Sequence, residues 1–263
     1  MRISSISNHQ YINRASQDLY RSHEKLSSGK RINKAADDAA GAAIAQKILS
    51  EFNGLNKATQ NAATFQDMTK VADGAMDTVT SSLQRMRELS VQASNDLYSD
   101  SDREAIQQEI DQLKQHISDT AGQTQFNGKN LLDNSDGTWH AAINSNGGGM
   151  DVNMPVSTLE KLGLADYDVT GDFDIGAIDD ALDMVNADRS SLGAVYNRLD
   201  YSMSNNSYTA LNTAASHSRI EDLDYGKAVT DQQKQKILLQ YTMMMQRRKY
   251  EDENGRVIRL YNR

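Results

Sequence analysis

The chain has 263 residues, a formal net charge of -8, no cysteine and one proline, Pro155. Without cysteine there is no disulfide framework and no thiolate metal site, and no apolar run approaches the roughly 20 residues of a membrane span. Hydrophobic residues make up 38% and the mean hydropathy is -0.67, an apolar content suited to seams between helices rather than to one large spherical core.

The opening residues, MRISSISNHQ, lack the apolar core of a cleavable signal, so a protein that leaves the cell would need another route. Residues 3–33 form a first amphipathic segment in which Ile12, Ala15, Leu19, Ser22 and Leu26 recur three and four apart. Seven Lys/Arg against Asp18 and Glu24 give residues 1–34 a net charge of +5. These cations are scattered around the helix and no aromatic platform accompanies them, so neither nucleic acid nor a membrane surface is the expected partner. Ser27, Ser28 and Gly29 then punctuate the chain, and Asp37 and Asp38 stand before the alanine-rich entry to a second helix, where acids complement the N-terminal dipole.

From Ala42 to about Ser99 two series step by seven: Phe65, Ala72, Val79, Met86, Ala93, and Ala62, Thr69, Met76, Leu83, Ser90, Leu97, the latter continued backwards by Leu55 and Ile48. Lys57, Gln60, Asp67, Lys70, Asp73 and Asp77 fall on other faces. An unbroken helix here would be roughly 85 Å long, against a diameter of about 45 to 50 Å for a compact globule of this chain length. The expected fold is therefore mainly α, an elongated antiparallel helical bundle or coiled coil.

Asn95 to Asp102 end this helix in turn formers, and Ser101-x-x-Glu104 fits a capping box. A third helix is predicted to about Ala121, with Ile106, Ile110, Leu113 and Ile117 on one face, antiparallel to the second across the short turn. Asn127-Gly128 makes a tight turn, and Phe126, Leu131 and Leu132 close the end of the bundle. One small β-hairpin is expected at about 137–155: Trp139, Ala141 and Ile143 alternate, Asn146 to Gly149 turn the chain, and Val152 and Met154 alternate towards Pro155. Ser157 to Glu160 are read as capping a short helix closed by Gly163, and residues 165–177 as an acidic loop.

Helical period returns at Ile178 and runs to about Leu223, through Leu182, Val185, Leu192 and Leu199. The shaft is expected to pack through Phe65, Val79, Leu83 and Met86 against Val185, Leu192 and Leu199, since each stripe is too narrow to be stable alone. A last helix over about Thr230 to Arg248, capped by Thr230-x-x-Gln233, gathers Ile237, Leu238, Tyr241, Met244 and Met245 on one side. Six Lys/Arg against three acids give residues 246–263 a net +3, which leaves -16 on residues 35–245. Both ends being basic, apolar seam contacts must hold the terminal helices together.

No catalytic constellation stands out. The five histidines are far apart, His23-Glu24 lacks the second histidine of H-E-x-x-H, and there is neither G-x-S-x-G nor a dinucleotide fingerprint. Gly147 to Gly149 lack the G-x-x-x-x-G-K-[ST] of a phosphate loop. Paired acids such as Asp37-Asp38 and Asp179-Asp180 are helix-start residues. No enzyme activity, metal or cofactor is expected.

Five stretches carry a family resemblance: LSSGKRINKAADDAAGAAIAQ at 26–46, LQRMRELSVQASN at 83–95, GQTQFNGKNLL at 122–132, SSLGAVYNRLD at 190–200 and SRIEDLDY at 218–225. Together they resemble bacterial flagellins over about residues 3–245, without the large surface domains of longer members. The resemblance implies a structural subunit that self-assembles into an extracellular flagellar filament for motility. Residues 1–34 with 226–263 would form an inner terminal-helix domain, assembling through Ile12, Ala15, Leu19, Leu26, Ile237, Leu238, Tyr241, Met244 and Met245, and residues 35–225 an outer helical rod. It further implies type III export, a chaperone on the C-terminal helix, hook-associated and cap proteins as partners, and contact of a host Toll-like receptor with Arg85, Leu89 and Glu109. The tail 246–263 departs from the short leucine-rich ending of flagellins. Alternatives are a hook-filament junction protein, a secreted helical binding protein that never polymerises and, remotely, a glycine-loop enzyme.

Overall fold

The computed structural model describes residues 2–133 and 138–261; Gly137, at the expected start of the hairpin, and Arg263, in the basic tail, lie outside them. In chain order the elements are α1 (Arg2–Ser28), α2 (Ala39–Ala93), α3 (Asp100–Gln123), β1 (Gln125–Phe126), β2 (Lys129–Asn130), β3 (Thr138–Ala142), β4 (Gly149–Asn153), α4 (Gly176–Glu221) and α5 (Tyr225–Tyr261). The fold is mainly α. Contacts gather into two units, residues 1–50 with 212–263, and residues 51–211, so that the division falls within α2 and within α4.

In the second unit the apolar series of α2 is the spine of the core. Met76, Val79, Leu83 and Met86 are fully buried with Ile110 and Ile117 of α3, and Val185, Leu192 and Leu199 of α4 join the same cluster, with Phe65 packed partly buried against it. The helices run antiparallel, as polar pairs along their flanks record: Gln66 Nε2 donates to the Tyr196 carbonyl at 3.3 Å, Arg189 pairs with Asp73 at 2.9 Å, and Arg87 with Asp179 at 2.6 Å. Between α2 and α3, Ser82 meets His116 at 3.3 Å. The β3–β4 hairpin caps one side of this core, pairing Trp139 with Val152 and Ala141 with Met150, and buries Ala141, Ile143, Met150, Val152 and Met154. Leu131 and Leu132 are fully buried in the cluster and Phe126 lies partly buried against it.

Several local expectations are corrected. Leu97 belongs to no buried stripe and is 89% exposed, because α2 stops at Ala93. The capping box of α3 is formed by Ser99 and Asp102, not by Ser101 and Glu104: Ser99 has the extended backbone of a cap, its hydroxyl accepts from the Asp102 amide, and the Asp102 carboxylate accepts from the Ser99 amide at 3.0 Å. A second, two-residue ladder pairs β1 with β2 around Asn127 and Gly128, whose φ values of 52° and 75° make the primed turn that suits a hairpin. Residues 159–163 form turns rather than a helix; Gly163, at φ 71°, reverses the chain and sends Leu162 and Leu164 into the core. Thr230 caps nothing. Its hydroxyl donates to the Gly226 carbonyl inside α5, which starts earlier, at Tyr225, with Asp224 accepting from the Lys227 amide.

α1 ends at Ser28, short of residue 33, because Gly29 takes φ 70°. α5 continues to Tyr261, past the expected stop at Arg248, helped by an Arg247–Glu251 pair one turn apart.

Candidate assembly surface

Within the first unit, α1 and α5 lie side by side. Ile12, Ala15, Leu19, Ser22 and Leu26 are half-buried on α1, and Ala228, Gln232, Gln235, Leu239, Thr242 and Gln246 are half-buried on α5, both sets at coiled-coil spacing. The seam is largely polar on the α5 side. Ser22 donates to Gln235 Oε1 at 2.6 Å, the Gln232 amide meets His23 Nδ1 at 2.9 Å, and the Tyr225 hydroxyl donates to the Leu26 carbonyl at 3.3 Å. Apolar contacts alone therefore do not hold the terminal helices together.

A short antiparallel bridge ties the α1–α2 link to the end of α4: the Arg31 amide donates to the Glu221 carbonyl at 2.7 Å, the Leu223 amide to the Gly29 carbonyl at 2.9 Å, and Lys30 pairs with Glu221 at 2.6 Å. Asp37 accepts from the Asn33 and Lys34 amides, which hold its carboxyl below the usual range, the Asn33 bond contributing most. Lys34 is raised by its hydrogen bond and ion pair with Glu24 at 2.8 Å. Asp38 caps α2 by accepting from the Gly41 amide at 2.8 Å.

The predicted assembly residues split into two groups. Ile12, Ala15, Leu19 and Leu26 lie in the seam, whereas Ile237, Leu238, Tyr241, Met244 and Met245 turn away from it and are 48% to 63% exposed. Sequence reasoning missed Gln232 and Gln235 because it sought apolar residues; their positions at 3-4 spacing with Ala228 and Leu239 were the available signal. The shaft residues Phe65, Val79, Leu83, Met86, Val185, Leu192 and Leu199 share the core of the second unit. Of the three positions at which the resemblance leads one to expect receptor contact, Arg85 and Glu109 are brought together at the surface, Arg85 Nε donating to Glu109 at 2.9 Å and raising the Arg85 pKa. Leu89 is 2% exposed and packs inward. Among the described residues no group of three or more His, Asp or Glu is placed to hold a metal ion, and no helix is long and apolar enough to cross a membrane.

Comparison with known proteins adds to this geometry. The profile of the bacterial flagellin N-terminal helical region matches residues 1–136, and that of the bacterial flagellin C-terminal helical region matches residues 175–250. A flagellin of Halalkalibacterium halodurans is 38% identical over 229 residues, covering 84% of each chain. A flagellar filament 33 kDa core protein of Treponema phagedenis is 38% identical over 239 residues, covering 82% of this chain and 83% of its own. Among solved structures, a hook-associated protein from Vibrio parahaemolyticus shares the fold, with a TM-score of 0.59 at 16% identity over 71% of this chain and all of the other.

Proposed function

The chain belongs to the bacterial flagellin family, and on that premise we propose that the outward apolar stripe of α5 is the surface through which copies join. The protein is a structural subunit of the extracellular flagellar filament. Its role is architectural. The observation that carries the stripe is its orientation: Ile237, Leu238, Tyr241, Met244 and Met245 form the most apolar run of α5, yet α1 packs on the opposite, glutamine-lined side. Contiguous exposed apolar surface of this kind marks an interaction site. In the filament, residues 1–34 and 226–263 form the inner part and residues 35–225 the outer rod.

The same stripe suits an export chaperone, which would cover it before passage through the type III channel, and hook-associated and cap proteins would meet the ends of the polymer. The exposed Arg85–Glu109 pair offers paired charges to a host Toll-like receptor, while Leu89, one turn on, is buried in the core. A hook-filament junction role is not favoured, because the relatives at 38% identity are a flagellin and a filament core protein, while the hook-associated likeness is one of fold. Sedimentation and electron microscopy of the purified chain under assembly conditions test the reading: long filaments are expected, and a permanently monomeric species would overturn it.

A further inference from the structure

Eleven methionines are the only sulfur in this chain, since it has no cysteine. Eight of them lie at the two extremes of access, with Met184 at 37% exposed and Met203 partly buried between them. Met68, Met76, Met86, Met150 and Met154 are buried, Met76 and Met86 completely, whereas Met243, Met244 and Met245 are 48%, 63% and 48% exposed on α5. Three consecutive residues of an α-helix span about 200° of its circumference. Thr242, immediately before them, is half-buried and bonds back to the Leu238 and Leu239 carbonyls, so the thioethers cover the half of the helix turned from α1.

We propose that Met243, Met244 and Met245 form a modification site for hydroperoxides, and that their oxidation disables the outward face of α5. With hydrogen peroxide, a sulfur lone pair takes the distal oxygen, the O–O bond breaks, an S–O bond forms, and the departing hydroxide gains the remaining proton to leave as water. Sulfur is oxidised by two electrons and the peroxide is reduced by two. Each step turns a flexible apolar side chain into a polar, chiral sulfoxide, which disrupts a methionine-rich interface. The buried methionines escape, since a sulfur packed among Leu83 and Ile110 in the same core meets peroxide only when the core opens. The chemistry is independent of the filament reading; its consequence for assembly rests on that reading.

The test treats the full-length monomer with hydrogen peroxide, follows each methionine by peptide mass spectrometry, and then measures sedimentation under assembly conditions. The peptide bearing Met243 to Met245 is expected to oxidise at least about tenfold faster than those bearing Met76 and Met86, and the oxidised chain to stay soluble. The variant Met243→Leu/Met244→Leu/Met245→Leu, which keeps apolar bulk, is expected to polymerise with or without prior peroxide. The variant Met243→Gln/Met244→Gln/Met245→Gln is expected to stay soluble without any oxidant, with its helix content by circular dichroism unchanged. Equal oxidation of exposed and buried methionines would overturn the site. Normal polymerisation of the sulfoxide chain, or peroxide sensitivity of the leucine variant equal to that of the parent, would overturn its effect. Failure of the untreated chain to polymerise would count against the filament reading alone, because the oxidation rates decide the site by themselves.

Discussion

Ile237→Ser separates assembly from folding. Ile237 is 60% exposed on the side of α5 turned away from α1. Full burial of an isoleucine side chain is worth about 1.5–3 kcal/mol, so the 60% still in water leaves about 1–2 kcal/mol to be gained when a second copy covers it. At 1.4 kcal/mol per factor of ten, removing that gain raises the critical concentration for polymerisation by about five- to thirtyfold. The monomer loses little, because serine and isoleucine have nearly equal helix propensity and the seam residues Gln235 and Leu239 are untouched. Leu239→Ser is the counterpart: Leu239 is half-buried towards α1, and its loss lowers the melting temperature of the monomer itself. Sedimentation over a dilution series gives the critical concentration, and a circular dichroism melt of the monomer gives the stability. An unchanged critical concentration for Ile237→Ser, or a melting temperature lowered as far as in Leu239→Ser, would refute the assignment of opposite roles to the two faces.

Three further outcomes follow from the second unit. The buried Tyr167 hydroxyl donates to Ser90 Oγ at 2.9 Å, and Ser90 donates onward to the Met86 carbonyl at 2.8 Å; Tyr167→Phe should cost about 0.5–1.5 kcal/mol and Ser90→Ala about 1–3 kcal/mol, because only the latter strands a buried donor. The double variant should cost less than the sum, as urea midpoints of the four proteins will show. His140 is raised above its ordinary 6.5 chiefly by its 2.8 Å hydrogen bond to Asp151, with the Gly147 backbone adding to it. That stabilisation is therefore complete below pH 6.5 and fades as pH rises through the higher folded pKa; an NMR titration should place the His140 midpoint above 6.5 and move it down in Asp151→Asn. Since both side chains are more than half exposed, the effect on stability is small. Gly149→Ala would bring a Cβ to 1.7 Å from the Ala141 carbonyl oxygen, so the hairpin must shift, at about 1–3 kcal/mol; Gly74→Ala, with nothing within 4 Å on α2, should gain about 0.5–1 kcal/mol in the same thermal assay.

The parts of the fold that were legible are those where periodicity and burial coincide. Met76, Leu83, Met86, Leu192 and Leu199 repeat at seven-residue steps and are all fully or almost fully buried, because a long amphipathic helix has one way to hide one stripe. Boundaries were harder. The series on α2 carries on arithmetically to Leu97, but chain direction is set locally: the Asn95 amide already bonds the Gln92 carbonyl in a tighter turn, and the side-chain amide oxygen of Asn95 accepts from the Leu97 backbone. The S-x-x-E pattern places the cap of α3 two residues too late, because an aspartate, Asp102, fills the place of the glutamate. On α5 the apolar residues were identified, but the seam was not, since hydrophobicity marks the surface that lacks a partner in this chain as readily as the one that has found it. Hydrophobicity by itself does not distinguish the two; the 3-4 spacing of Ala228, Gln232, Gln235 and Leu239 marks a second stripe, and the position of α1 shows which of the two is the seam.

That division of α5 is what a polymerising subunit requires. Had the leucine, isoleucine and methionine side chains lined the seam with α1, the pair would form a closed coiled coil, satisfied alone and presenting a polar outside to its copies. With Gln232 and Gln235 in the seam instead, hydrogen bonds to His23 and Ser22 set which faces of the two helices meet, in the way that a buried polar residue sets register at a cost in stability. The apolar free energy is left on the outer side, where it is released only on contact with another molecule. Charge works in the same direction, because residues 51–211 carry ten Lys/Arg against twenty-five Asp/Glu, a like charge on every copy that opposes association. In the proposed assembly, the exposed apolar face of α5, which lies outside that stretch, supplies attraction that offsets this repulsion.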